Sequence, residues 1–86
     1  MIKVNLLFFA SFRELLGCSH IELNIELGSS IEDICTLLAA KGEPWVEIFS
    51  NPAHKVKVAV NQSMAEFTDQ IHAEDEIAFF PPVTGG

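Results

Sequence analysis

Residues 20–38 read His20-Ile21-Glu22-Leu23-Asn24-Ile25-Glu26-Leu27-Gly28-Ser29-Ser30-Ile31-Glu32-Asp33-Ile34-Cys35-Thr36-Leu37-Leu38, and the hydrophobic period changes halfway along them. Up to Leu27 the period is two. Ile21, Leu23, Ile25 and Leu27 share one face, with His20, Glu22, Asn24 and Glu26 on the other, which predicts a strand with one wet side. Gly28 turns the chain. From Ile31 onward Ile31, Ile34, Cys35 and Leu38 recur at helical spacing, predicting a helix that runs to about Lys41 and stops at Gly42. Ser29-Ser30-Ile31-Glu32 fits a capping box, with Ser29 as N-cap and Glu32 reaching back to it. A one-sided strand leading into a one-sided helix predicts an α+β fold with the helix packed across the sheet.

The same patterns extend in both directions. Met1 to Phe9 reads as a strand, and Ala10 to Leu16 as a short helix stopped by Gly17. Pro44 starts another short turn that carries Trp45, Ile48 and Phe49 into the core, and Asn51-Pro52 marks a loop. Lys55 to Asn61 alternates again, with Val56, Val58 and Val60 inward. A short strand near Met64 to Phe67 and a last strand from Glu76 to Phe80 complete the set. Pattern alone supports α+β; a final strand beside the first, parallel to it and in mid-sheet, rests partly on the family resemblance given below. Residues 1–80 then form one domain, and residues 81–86 an extended C-terminal tail.

Composition narrows the function classes. The 86 residues are 49% hydrophobic, enough for one modest packed core rather than disorder. Twelve acids against five bases give a formal net charge of −7. That argues against nucleic-acid binding, which needs a basic footprint, and favours basic protein surfaces as partners. The apolar opening is too short to span a membrane and has no signal-peptide cleavage pattern, so the cytoplasm is the default expectation. Cys18 and Cys35 form neither a disulfide framework nor a metal spacing, and His20, His54 and His72 are isolated; no metal site is expected. Cys35 reads as a small core residue and Cys18 as a turn residue open to solvent.

The strand faces define a surface. Ile2, Val4, Leu6 and Phe8 share the core parity of the first strand, which leaves Leu7 and Phe9 on the face that Lys3 and Asn5 mark as wet. On the last strand Ile77 and Phe79 fit the core, and Ala78 and Phe80 point outward. Lys55, Lys57 and Ala59 are outward on the strand before it. With these strands adjacent, Leu7, Phe9, Ala59, Met64 and Phe80 make one exposed apolar patch, read as a docking surface unless a loop covers it. Arg13, one helix away, is either a partner for a carboxylate on the docked protein or an ordinary surface arginine.

The chain ends Phe79-Phe80-Pro81-Pro82-Val83-Thr84-Gly85-Gly86. Pro81 and Pro82 hold the approach extended, and Val83 and Thr84 lead to two glycines that make a thin tip able to enter a narrow channel. Residues 81–86 fully extended reach roughly 20 Å. The carboxylate of Gly86 is the candidate reactive group. A carboxylate is a poor electrophile, and adenylation by ATP supplies AMP as a leaving group that sulfur or an amine can displace. Neither a phosphate-binding loop nor a nucleophile constellation is recognisable, so a partner must do the activating.

This tail, together with Leu7-Phe8-Phe9-Ala10, Arg13-Glu14-Leu15 and Gly17, Val60-Asn61-Gln62 and Asp75-Glu76-Ile77-Ala78, resembles the small-subunit family of molybdopterin synthase over the whole chain. The resemblance implies a β-grasp, ubiquitin-like fold with a mixed sheet and a flexible tail. It implies a non-catalytic sulfur carrier with no permanently bound cofactor. An adenylating enzyme would use ATP to activate Gly86, and a sulfur-donating enzyme would convert it to a thiocarboxylate. The large synthase subunit, in a heterotetramer, would then receive the tail and pass the sulfur to cyclic pyranopterin monophosphate. The family's interface positions fall on Phe9, Met64 and Phe80. A sulfur carrier of another, thiamine-type pathway, a protein modifier and a plain interaction domain are the alternatives.

Overall fold

The computed structural model describes residues 1–52 and 56–82. The elements are β1 (Ile2–Phe8), α1 (Ser11–Leu16), β2 (His20–Ile25), α2 (Ile31–Ala39), α3 (Trp45–Phe49), β3 (Lys57–Val60), β4 (Ser63–Met64) and β5 (Glu76–Phe80). The strands form one mixed sheet in the order β2-β1-β5-β3-β4. β1 runs antiparallel to β2 and parallel to β5, and β5 runs antiparallel to β3. The last strand thus lies beside the first in mid-sheet, with the helices on the core face, which is the β-grasp arrangement expected from the sequence.

The core follows the alternation. Val4, Leu6 and Phe8 of β1 and Ile77 and Phe79 of β5 are fully buried, together with Ile31, Ile34, Cys35 and Leu38 of α2. Phe8 lies between Phe79, stacked at 6.0 Å, and the edge of Trp45 at 5.5 Å, while Phe49 meets Phe79 edge-on at 5.2 Å. Stacked and edge-to-face contacts of this kind are the favoured geometries for aromatic quadrupoles. Pro44 precedes α3 as expected and delivers Ile48 and Phe49 into the core, but Trp45 stays half-buried under Lys41, whose Nζ stands 5.4 Å from the ring centroid.

The cap of α2 is one residue later than the sequence suggests. Ser30, not Ser29, is the N-cap: the Asp33 N–H donates to Ser30 Oγ, and the Ser30 N–H donates to Asp33 Oδ2 at 2.9 Å. Ser-Ser-Ile-Glu-Asp satisfies the box in either register, so the tie is broken from outside the segment. The Ile31 and Glu32 N–H groups, orphans at any helix start, donate to the carbonyls of Asp69 and Phe67. Ser29 instead closes the Gly28 turn, its Oγ donating to the Glu26 carbonyl at 2.8 Å. The helix also ends two residues before Lys41, although Gly42 follows with φ 90° as the stop requires.

Three further expectations need correction. Leu27 is 76% exposed, because β2 ends at Ile25 and the chain turns away before Leu27 can reach the core face. The fourth strand covers only Ser63–Met64 rather than extending to Phe67. Cys18 is half-buried against the core cluster rather than solvent-exposed. Among the described residues no helix is long and apolar enough to cross a membrane, and no group of His, Cys, Asp and Glu is placed to hold a metal ion. Burial, with a smaller contribution from Glu32, pushes the Cys35 thiol up to about 12, so it stays protonated at neutral pH, as a core residue should.

The entry to β5 is held by one side chain. Asn61 and Gln62 turn β3 into β4 with φ of 50° and 73°, a two-residue connection for which asparagine suits the first position. The Asn61 Oδ1 accepts from the Glu76 N–H at 3.0 Å, and its Nδ2 donates to Asp75 Oδ1 at 2.9 Å. Asp75 Oδ2 accepts from the His72 N–H at 2.8 Å, and the Asp75 carbonyl accepts from the Asn5 N–H at 2.9 Å. One amide thereby ties the β3–β4 hairpin to the start of β5 and, through Asp75, to β1. Asn61→Asp keeps the backbone conformation and the acceptor but replaces the donor with a second carboxylate. The lost donor and the like-charge contact at this exposed site are expected to lower stability by about 1 kcal/mol at neutral pH. A urea melt of the variant beside the unaltered protein checks the size.

Candidate functional site

Strand registers, rather than sequence proximity, assemble the outward surface. Leu7 of β1 is the Cα partner of Ala78 in β5, Ala78 of Ala59 in β3, and Ala59 of Met64 in β4. These four side chains share the parity opposite the core, so they form one apolar row across four adjacent strands. Phe80, two residues past Ala78, extends the surface toward the end of β5, with Lys57 as its Cα partner. Phe9 extends it along β1: its N–H donates to the Phe79 carbonyl at 3.1 Å, continuing the β1–β5 ladder past the end of the strand.

The exposures sort the expected residues. Met64 is 66% exposed and Phe9 44%, while Leu7 and Phe80 are half-buried. Ala59 has the predicted parity and lies outside the core cluster, yet it is buried at 9%. That corrects the expectation of an exposed Ala59: a methyl group on an inner strand, paired on both sides with Ala78 and Met64, projects too little to reach solvent. Ala59 is thus the floor of the surface rather than part of its exposed rim. Ala78 belongs to the same floor. Its outward parity was legible in the sequence, but only the register shows that it links Leu7 to Ala59.

Polar groups border the row. His20, the Cα partner of Leu7, has its Nε2 3.3 Å from Asn5 Oδ1. Lys3 Nζ lies 3.8 Å from Glu22 and 4.0 Å from Glu74, all three well exposed. At such exposure these pairs add little stability and act mainly as a polar rim. Arg13 is exposed on α1, which packs against β5, and the described residues hold no ion-pair partner for it. Pro81 and Pro82 are half-buried as the chain leaves β5. Val83, Thr84, Gly85 and Gly86, like His54 and Lys55, lie outside the described residues.

The arrangement is an outward apolar row that adjoins the C-terminal end of β5. Comparison with known proteins places the chain in a family. Residues 6–86 match the model of the ThiS family. The chain is 41% identical to the molybdopterin synthase sulfur carrier subunit of Haemophilus influenzae, covering 96% of this chain and 99% of that protein. It is 40% identical to the subunit of the same name from Escherichia coli, over the full length of both. Among solved structures, the protein–protein complex of subunits 1 and 2 of the molybdopterin-converting factor from Helicobacter pylori contains a chain that superimposes with a TM-score of 0.69 at 19% identity, covering 99% of this chain and 100% of that one. The family match over residues 6–86, the β-grasp sheet and the full-length similarity to named carrier subunits lead to one conclusion: the chain belongs to the ThiS family and resembles, end to end, the sulfur carrier subunits of molybdopterin synthase.

Proposed function

We propose that this protein is the sulfur carrier subunit of a molybdopterin synthase. The observation that carries the reading is the apolar row Leu7–Ala78–Ala59–Met64, bordered by Phe9 and Phe80, on the three inner strands β1, β5 and β3 and the β4 edge. It adjoins the end of β5, from which Pro81 and Pro82 lead to Gly86. A surface of this kind fixes the base of the tail against a partner while the tip reaches into that partner's active site, so that positioning rather than internal catalysis is this chain's contribution.

The chemistry follows from the carboxylate. An activating enzyme joins the Gly86 carboxylate to the α-phosphorus of ATP with release of pyrophosphate. Sulfide-level sulfur delivered by a donor enzyme then attacks the acyl carbon, AMP leaves as the C–O bond to phosphate breaks, and a thiocarboxylate remains. The large synthase subunit receives that tail, and the sulfur attacks cyclic pyranopterin monophosphate on the way to the dithiolene. Both partners use the same apolar face, so they bind it one at a time.

Co-expression with the activating enzyme and sulfur donor of the same organism tests this. Intact-mass measurement is expected to show a species heavier by the exchange of one oxygen for one sulfur, localised to the C-terminal peptide. That species, mixed with the large subunit and the pyranopterin, is expected to yield molybdopterin and return to its original mass. A chain that acquires sulfur but gives no product with the pyranopterin belongs to another sulfur-transfer pathway; a chain that never changes mass is not a carrier.

A further inference from the structure

The β1–α1 turn is anchored on both sides and strained in between. On one side the Phe9 N–H is held by the Phe79 carbonyl. On the other, Phe12 is buried at 6% exposure beside Phe49, and its N–H donates back to the Phe9 carbonyl at 3.2 Å. Two residues remain to reverse the chain. Ala10 does so with φ 55° and ψ −132°, the backbone of the first central position of a type II′ turn, where glycine is the favoured residue. For a residue with a Cβ this is a sparsely populated conformation that persists only when its surroundings impose it. The Ala10 side chain is exposed and makes no cap, so packing of its own methyl does not hold it there. The anchors do.

We infer that Ala10 is a positioning residue for docking: its Cβ confines the β1–α1 turn to a single conformation and so fixes Phe9 on the outward face, at a cost in stability that glycine would remove. The reasoning concerns the neighbouring conformations. An alanine that leaves positive φ must cross to the α or β region, which breaks one of the two anchors. A glycine has a broad allowed region at positive φ, within which the Phe9 backbone shifts while both anchors survive. Phe9 is 44% exposed, so little else restrains its ring. A loosened Phe9 must be ordered on binding, and that ordering weakens the complex. The inference rests on the docking reading of this face.

Two variants, Ala10→Gly and Phe9→Ala, separate the inference from that reading. Each is melted, titrated against the large synthase subunit of the same organism, and its backbone order parameters are measured by NMR in the free state. Ala10→Gly is expected to raise the melting temperature by about 4 °C, as relief of strain exceeds the added chain entropy. It is expected to weaken binding about fivefold, with lower order parameters at residues 9–11. Phe9→Ala is expected to weaken binding at least about tenfold without that loss of order. Stability and affinity moving in opposite directions is a result that a purely structural turn does not give. If Ala10→Gly binds as the unaltered protein does while Phe9→Ala is impaired, positioning is overturned and docking stands. If Ala10→Gly loses stability and affinity together, Ala10 is structural only. If Phe9→Ala binds normally, the docking reading falls and the positioning role with it.

Discussion

Appending one alanine after Gly86, or deleting Gly86, is expected to abolish sulfur transfer while the thermal melt stays within about a degree of the unaltered protein's. The stability half of this expectation follows from where the core lies. Among the described residues the last fully buried one is Phe79, and the buried cluster is built from β1, α1, β2, α2, α3 and β5 with Val56, Val58 and Ile71. The activity half follows from reach. In the proposed docking, Phe80 and the Leu7–Ala78–Ala59–Met64 row set the base of the tail, so one residue more or less moves the carboxylate by about 3 Å along an extended path. A displacement of even about 1 Å from a near-attack geometry costs on the order of a hundredfold in rate. Deletion of Gly86 also places the Gly85 carboxylate where the Gly85–Gly86 peptide group stood. Transfer is read as molybdopterin formed per thiocarboxylate supplied, with intact mass confirming that the added residue has not been removed. A full-rate extended variant would mean that the reactive group is not the terminal carboxylate.

Phe79→Arg and Phe80→Arg are adjacent substitutions of the same type with opposite expected consequences. Phe79 has no exposure and touches both Phe8 and Phe49. Removing such an aromatic costs about 3–5 kcal/mol before the burial of a guanidinium is counted. That is a large part of the roughly 5–15 kcal/mol available to a domain. Phe79→Arg is therefore expected to give no cooperative melt at 25 °C. Phe80 has the outward parity and is half-buried. Its replacement is expected to lower the melting temperature by only a few degrees. Yet it places an unpaired charge in the middle of an apolar contact. Affinity for the large subunit and for the activating enzyme is expected to fall on the order of a hundredfold. Circular-dichroism melts and calorimetric titrations on the two variants make the comparison. If both melt normally, or both collapse, the alternation of faces along β5 is not what divides core from docking surface. A normal melt with intact binding to both partners for Phe80→Arg would remove the docking surface and leave the fold as described.

Most of the fold was legible because its signals are local. Alternation along Ile2–Phe8 and Glu76–Phe80 sets which side chains face each layer of the sheet, and the structure keeps every one of those parities. The helical stripe of Ile31, Ile34, Cys35 and Leu38 is buried as its spacing demands. Legibility failed where two local solutions were equally good or where burial depended on a neighbour. Ser29 and Ser30 both complete a capping box, and the choice was made by the carbonyls of Asp69 and Phe67, some forty residues downstream. Leu27 continues a perfect alternation but falls past the end of an edge strand.

By itself, then, the sequence determined the periodicities, the faces they define, the net charge that disfavours nucleic acid, and the Phe79-to-Gly86 run on which the proposed carrier role rests. Those are properties of residues taken one or four at a time. The tertiary structure alone decided that Leu7, Ala78, Ala59 and Met64 stand in one row, that Ala59 is its covered floor, and that Ala10 must take a glycine's conformation to join two anchors. The physical reason is that strand order and register are set by how the two faces of the whole sheet pack, over separations of dozens of residues, whereas a residue's preference for a face is set by its immediate neighbours.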